Sequence, residues 1–232
     1  MIHKFTPIEN LLLRFDVIPH PLLDSLTYVI LGRALQVAAK LEIFESLVDK
    51  ELSIEQLARE TKTKIDSLEP IMDCIVALGY VKQTGNKYSL TKRGHKFFNK
   101  KSLNSMHNTI LFSDYVFSAL QDLEENVKRG EPKDVNLDFF TPHQWDIFNK
   151  TMIEVGGSNA EKIDKILPKK PEWKSMLDIG GSHGLHTIAY VKKILGMKGT
   201  ILDLAPVEKY ANQVIKEKGV EDRVNFVVGD MM

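Results

Sequence analysis

The sequence predicts an α/β plus α protein: a helical, winged-helix-like domain followed by a parallel α/β sheet. Two patterns carry this. Up to about residue 101, apolar residues recur at helical spacing and then give way to one short alternating hairpin. After residue 170, short apolar strands alternate with helical stripes, which is the order of a parallel sheet with right-handed crossovers. Three zones follow, 1–101, 102–170 and 171–232.

In the first zone Leu31, Ala34, Leu35, Ala38 and Leu41 give one buried helical face. Ser53 can cap the next helix, with Gln56 three positions on as the return partner. A further helix starts at Thr63 or Asp66, carries Leu68, Ile71, Met72, Ile75 and Leu78, and ends at Gly79. Tyr80 to Gln83, a Gly85-Asn86 turn and Lys87 to Leu90 then read as a β-hairpin. Helix, turn, helix, hairpin is the order of a winged helix.

The middle zone reads as helical except at Gly130-Glu131-Pro132 and Thr141-Pro142, and Pro168 to Pro171 reads as a linker. In the last zone Ser175 to Ile179 is a strand, followed by a glycine turn and a helix from Gly184 to about Leu195. Thr200 to Leu204 is a second strand. Val207, Tyr210, Ala211, Val214 and Ile215 form a helical stripe ended by Gly219, and Arg223 to Val228 is a third strand.

Composition bounds the function. At 232 residues, 43% hydrophobic, the chain can build one large or two modest cores. Its 31 basic and 31 acidic side chains cancel, so no overall field draws it to nucleic acid or an anionic membrane. No apolar run approaches the ~18–20 residues that span a bilayer, and Arg14 and Asp16 interrupt the first apolar stretch, which argues against a signal peptide. Cys74 is the sole cysteine, which excludes an intramolecular disulfide and a cysteine metal cluster. The expectation is a soluble, cytoplasmic protein.

The strongest chemical signal is Asp178-Ile179-Gly180-Gly181-Ser182-His183-Gly184, an acid at a strand end and small residues that let the backbone approach a ligand before a helix opens. A tight turn with no ligand is the alternative at this point. Asp203 closes the second strand and Asp230 follows the third, so three acids are expected in register at the carboxyl ends that line the crevice of an open sheet. Asp203 is placed for ribose hydroxyls. Asp230, with Met231, is placed for an adenine amine and ring. No G-x-G-x-x-G spacing occurs, and no Lys-Ser or Lys-Thr follows the glycines. An acid before the turn suits a zwitterionic amino-acid tail better than a pyrophosphate, which favours S-adenosyl-L-methionine. His183 and His186 beside the turn read as surface helix positions.

These residues resemble the cofactor half of class I methyltransferases, and more narrowly the small-molecule O-methyltransferases of the caffeate and acetylserotonin type. That family's D-x-G-G-G-x-G appears with Ser182 for the third glycine, a replacement expected to cost little. Its Asp-Leu-Pro appears as Asp203-Leu204-Ala205-Pro206, and its G-D-M-F as Gly229-Asp230-Met231-Met232. The resemblance implies Gly180 near the methionine moiety, Asp203 on the ribose, and Asp230 with Met231 on the adenine. It implies a winged-helix-like dimerisation domain, a homodimer, and the first half of a Rossmann-like methyltransferase sheet. Phe148-Asn149-Lys150-Thr151-Met152 is similar to the family's F-N-x-x-M helix, which makes Phe148 and Met152 acceptor-pocket candidates. Family members often carry His-Ser a few residues later, where this chain has Val155 and Gly156.

The family's general base is a histidine on a segment after the fourth strand. None of His3, His20, His95, His107, His143, His183 or His186 matches it, so no catalytic residue is assigned. The expected function is S-adenosylmethionine-dependent O-methylation of a small, aromatic hydroxyl compound, with the catalytic segment missing from this chain. Two other readings stand beside it. A non-catalytic dimerisation partner would keep the same N-terminal parts. A winged-helix DNA-binding regulator would use the seven Lys or Arg between 81 and 101, but the candidate recognition helix carries Asp66, Glu69 and Asp73, which meet phosphate badly.

Overall fold

The apolar stripe from Leu31 to Leu41 is realised in α1 (Tyr28–Lys40), which continues a π-helical turn, Leu23–Thr27. The computed structural model describes Phe15 and residues 20–130, 140–160 and 172–230, and it divides into two units, 1–118 and 119–232.

In the first unit α2 (Ile43–Ser46) follows α1, and β1 (Leu52–Ser53) leads into α3 (Ile54–Thr61). The Ser53–Gln56 capping box is present, with the Gln56 N–H donating to Ser53 Oγ and the Ser53 N–H donating to Gln56 Oε1 at 2.8 Å. α4 (Ile65–Ala77) starts at neither Thr63 nor Asp66. Lys64 is its N-cap and makes no side-chain cap bond. Gly79 follows in the left-handed conformation, as expected. β2 (Val81–Thr84) and β3 (Lys87–Leu90) form the hairpin, and β1 adds to β3 with Leu52 opposite Tyr88, giving the order β1-β3-β2. The two residues of β1 are too few for any period to reveal. Phe44 of α2 stacks on Phe98 of α5 (Lys92–Phe98) at 4.0 Å between centroids, inside a core that also takes Leu57, Leu68, Met72 and Ile75.

α6 (His107–Ala119) is tied to α1 by a polar cluster. The Asp114 carboxylate accepts from both Arg33 and Lys40, and Gln36 donates to Ser113 Oγ at 2.9 Å. The bond from Lys40, and then that from Arg33, holds the Asp114 carboxyl below its usual range against the opposing effect of burial.

In the second unit come α7 (Leu123–Arg129) and α8 (Pro142–Ala160). Thr141-Pro142, read from sequence as a break, is the start of α8. The Gln144 N–H donates to Thr141 Oγ1, Gln144 Oε1 accepts from the Thr141 N–H at 2.8 Å, and proline takes the first helical position. The Pro168–Pro171 linker lies outside the described residues. β4 (Ser175–Ile179), α9 (Leu185–Lys193), β5 (Lys198–Asp203), α10 (Glu208–Glu217) and β6 (Val224–Val228) then alternate as expected, and the strands lie parallel in the order β4-β5-β6. One face of the sheet, with Ile201 and Val224, is buried with Ile188 and Val191 of α9 and Val214 and Ile215 of α10. Among the described residues, no helix is long and apolar enough to cross a membrane.

Asp114→Asn is expected to lower stability by about 0.5–1 kcal/mol, because the half-exposed Arg33 and Lys40 lose the anionic acceptor that they share. The sign with pH follows from the lowered carboxyl. Its stabilisation is present above the ordinary value of 3.8 and is lost as pH falls through the folded value. Thermal melts between pH 5 and pH 3 should therefore fall more steeply for wild type than for the variant.

Candidate functional site

The strand register decides which ends can cooperate. Asp178 is opposite Ile201 and Ile179 is opposite Leu202, while Asp203 is opposite Val228. Gly180 therefore lies level with Asp203, and the Gly180 N–H continues the ladder by donating to the Leu202 carbonyl at 2.8 Å. The three acids are not in register. Asp178 lies two rows below Asp203, and its Oδ2 accepts from the hydroxyl of the fully buried Thr187 at 2.6 Å. Asp178 anchors α9 beneath the turn.

Packing as well as any ligand dictates the glycines. At Gly184, φ is 71°, and a Cβ there would come within 2.2 Å of Ile201 Cδ1. A Cβ on Gly181 would stand 2.7 Å from the Asp178 carboxyl carbon. The turn is thus pressed onto β5 and its own strand. Ser182 departs from the expectation of a cheap replacement, because its φ of 49° lies in the left-handed region that glycine favours. The Ser182 hydroxyl is buried and has no hydrogen-bond partner among the described residues.

Asp203 is 7% exposed. Its Oδ2 accepts the Ser182 N–H at 2.8 Å and its Oδ1 accepts the Leu204 N–H at 2.7 Å. The carboxylate therefore bridges the turn after β4 to the end of β5, and each oxygen retains a second lone pair. The Gly229 N–H donates to the Asp203 carbonyl at 3.0 Å, which brings the segment after β6 alongside.

A cleft of about 430 Å³ opens at these strand ends, between Trp145 of α8, the Leu204–Pro206 turn and Val228–Asp230. Its walls are mostly apolar, with the exposed Asp230 at one end. Met231 lies outside the described residues. Of the two acceptor-pocket candidates, Phe148 meets Trp145 edge-on at 5.7 Å, and Met152 lies one helical turn further along α8. Trp145 was not singled out from sequence, although it falls three before Phe148 and seven before Met152, on the same helical face. On the neighbouring face of α8, Asp146 accepts from the Tyr210 hydroxyl at 2.8 Å and pairs with Lys150 at 2.7 Å. Burial, then the bond to Asp146, pushes the Tyr210 phenol up to about 12.

His183 is not a surface residue. It is 4% exposed, with Nε2 2.7 Å from the Met152 carbonyl and Nδ1 accepting the Leu185 N–H at 3.1 Å. His186 is exposed.

Residues 23–100 match the O-methyltransferase dimerisation domain and residues 142–232 match the O-methyltransferase domain. The chain belongs to the O-methyltransferase family. Phenazine O-methyltransferase PhzM of Lysobacter antibioticus is 25% identical over 218 residues, which span 90% of this chain and 64% of that protein. Bacteriochlorophyllide d C-20 methyltransferase of Chlorobaculum tepidum is 22% identical over 203 residues, 85% of this O-methyltransferase-family chain and 60% of its own length. Among solved structures, the mitomycin 7-O-methyltransferase MmcR superposes with a TM-score of 0.81 at 20% identity, covering 94% of this chain and 67% of that one. Human N-acetylserotonin methyltransferase in complex with SAM gives a TM-score of 0.74 at 18% identity, covering 99% and 68%. At these identities the structural likeness concerns the fold. The chain spans 60–64% of the length of the curated relatives it matches.

Ser182→Gly is expected to raise stability by about 1 kcal/mol, by relieving a left-handed residue and removing a buried unpaired hydroxyl. Denaturant unfolding of the two proteins checks this. A variant no more stable than wild type would mean that the hydroxyl has a partner or that the backbone relaxes.

Proposed function

We propose that this chain binds S-adenosyl-L-methionine and is the dimerising, cofactor-binding part of an O-methyltransferase for a small, aromatic hydroxyl compound. The observation that carries this reading is the cleft at the carboxyl ends of β5 and β6, lined by Leu204–Pro206 of one family motif, just after the buried Asp203, and by Gly229–Asp230 of the other. The residues fit the cofactor. The apolar walls and Trp145 suit a purine, and Asp230 is at hand for its exocyclic amine. The second lone pairs of Asp203 can take ribose hydroxyls, and Gly180 leaves the main chain open beside the methionine moiety. Met231 is proposed to pack on the adenine. Phe148 and Met152 are proposed to border the acceptor. When bound, the cofactor would supply a sulfonium methyl group open to in-line attack by an acceptor oxygen, the new C–O bond forming as the C–S bond breaks and the sulfur keeps its electron pair.

The acceptor hydroxyl must lose its proton to a base. His183 cannot take that role while both of its nitrogens are held by the main chain. We propose that the base lies on a segment outside these 232 residues, together with the rest of a Rossmann-like sheet of which this chain holds the first half. The uncovered sheet face supports this: Leu177, Ile179 and Val227 are 57%, 59% and 42% exposed, whereas parallel sheets are covered on both faces. The dimerisation-domain match and the exposed Leu26, Val29 and Ile30 support a homodimer through the N-terminal helices. The exposed face of α4 carries Asp66, Glu69 and Asp73, so no nucleic-acid partner is proposed.

Two measurements test this reading. Calorimetry with S-adenosylhomocysteine should show binding by wild type and at least about tenfold weaker binding by Asp203→Asn, which loses charge-assisted acceptance. Because that change also disturbs the turn, Asp230→Asn is the second variant, with about three- to tenfold weaker binding expected from the loss of one hydrogen bond. Affinities equal to wild type in both variants would overturn the site. A radiolabelled methyl-transfer assay on catechols, phenols and hydroxyindoles should show turnover at least about 10²–10⁴ below a longer relative, the usual cost of lacking a general base. Comparable turnover would put the base within this chain. Light scattering at micromolar concentration should give the dimer mass, and a monomer would remove the homodimer from the reading.

A further inference from the structure

We propose that His183 is a positioning residue that latches α8 to the cofactor turn, so that Met152 on the acceptor side keeps a fixed separation from Gly180–Ser182. The inference rests on the reading above for the roles of those two sides. It stands on three contacts of its own.

The first is the bond from the Leu185 N–H to Nδ1. A main-chain N–H can only donate, so Nδ1 is the unprotonated nitrogen and the ring's proton is on Nε2. Leu185 is the first residue of α9, and its N–H has no partner within the helix. The second contact is that Nε2–H, which donates to the Met152 carbonyl in the interior of α8. The third is steric. A Cβ on Gly156 would lie 2.5 Å from Nε2 and 2.6 Å from Cε1, so α8 leaves its surface bare where the ring lies. One imidazole thus caps α9, bonds α8 at Met152 and fills the notch at Gly156.

Only the neutral ring makes both bonds. A second proton would sit on Nδ1 and face the Leu185 N–H. Burial pushes the His183 pKa below its ordinary 6.5, the Met152 carbonyl opposes, His186 lowers it further and Asp178 raises it. From α8 the ring meets a carbonyl and a glycine, and from its own segment it meets His186, at 6.4 Å between ring centroids. The latch therefore contributes stability fully above pH 6.5. That contribution is lost as pH falls from 6.5 toward the lower folded value.

A stability cycle tests the latch directly. At pH 8, Gly156→Ala should lower the melting temperature by at least about 4 °C when His183 is present. In a His183→Ala background the same change should be neutral within about 1 °C or raise the melting point, because the ring is gone and alanine favours helix over glycine. Additive shifts would overturn the latch. His183→Gln, which can still donate near Met152 but does not titrate, covers the case in which His183→Ala fails to fold. Its melting temperature should fall less between pH 8 and pH 5.5 than that of wild type, and an equal fall would overturn the requirement for a neutral ring. S-adenosylhomocysteine affinity should drop about tenfold in His183→Ala and recover in part in His183→Gln. Unchanged affinity would confine His183 to folding and remove its positioning role. If wild type itself binds no S-adenosylhomocysteine, the methyltransferase reading fails, while the melting cycle still decides the latch.

Discussion

The Asp203 carboxylate is the contact on which the rest of the site depends. It is buried, and it accepts one main-chain N–H from the turn after β4 and one from the segment after β5. That bridge holds the middle of the glycine turn, while the Gly180 N–H on the Leu202 carbonyl ties its start and the His183 ring ties its end. The price is paid in backbone conformation: Ser182 and Gly184 both take positive φ so that one N–H can face the acid and the chain can enter α9. A carboxylate so placed is structural before it is a ligand. Each oxygen keeps a second lone pair after these bonds, so on the proposed reading one residue can organise a turn and also accept from ribose hydroxyls.

Much of this architecture was legible because periodicity is a local signal. The strands β4, β5 and β6 and the helices between them lie within two residues of where spacing put them, and the Ser53 capping box was readable from four consecutive residues. The Thr141 cap and the left-handed Ser182 were local misses, whereas those at the site come from distance along the chain. Asp178 looks equivalent to Asp203 in sequence, but its row in the sheet is set by its partner strand, and that pairing leaves it two rows low on Thr187. His183 looks like a polar residue on a helix shoulder, and the carbonyl that buries it is 31 residues upstream. β1 needed β3 to exist at all. Trp145 was visible as part of an aromatic stripe, but a stripe does not say which of its members faces a cleft and which packs behind.

The same view explains where this chain departs from its family's pattern. Relative to D-x-G-G-G-x-G, the turn carries a serine for the third glycine, and its open position before the last glycine is filled by a buried histidine. Relative to the His-Ser that often follows F-N-x-x-M, α8 carries Val155 and Gly156. A serine at 156 would place its Cβ 2.5 Å from the His183 ring, closer than real Cβ contacts allow, so Gly156 and His183 must be read together. The volume of the His183 ring is matched by the bare surface of α8 at Gly156. The glycine on α8 is therefore tied by packing to the glycine turn, and on the proposed reading it bears on the acceptor through that packing. A substitution that, taken alone along the sequence, marks a different substrate is here one half of a contact whose other half lies in the glycine turn.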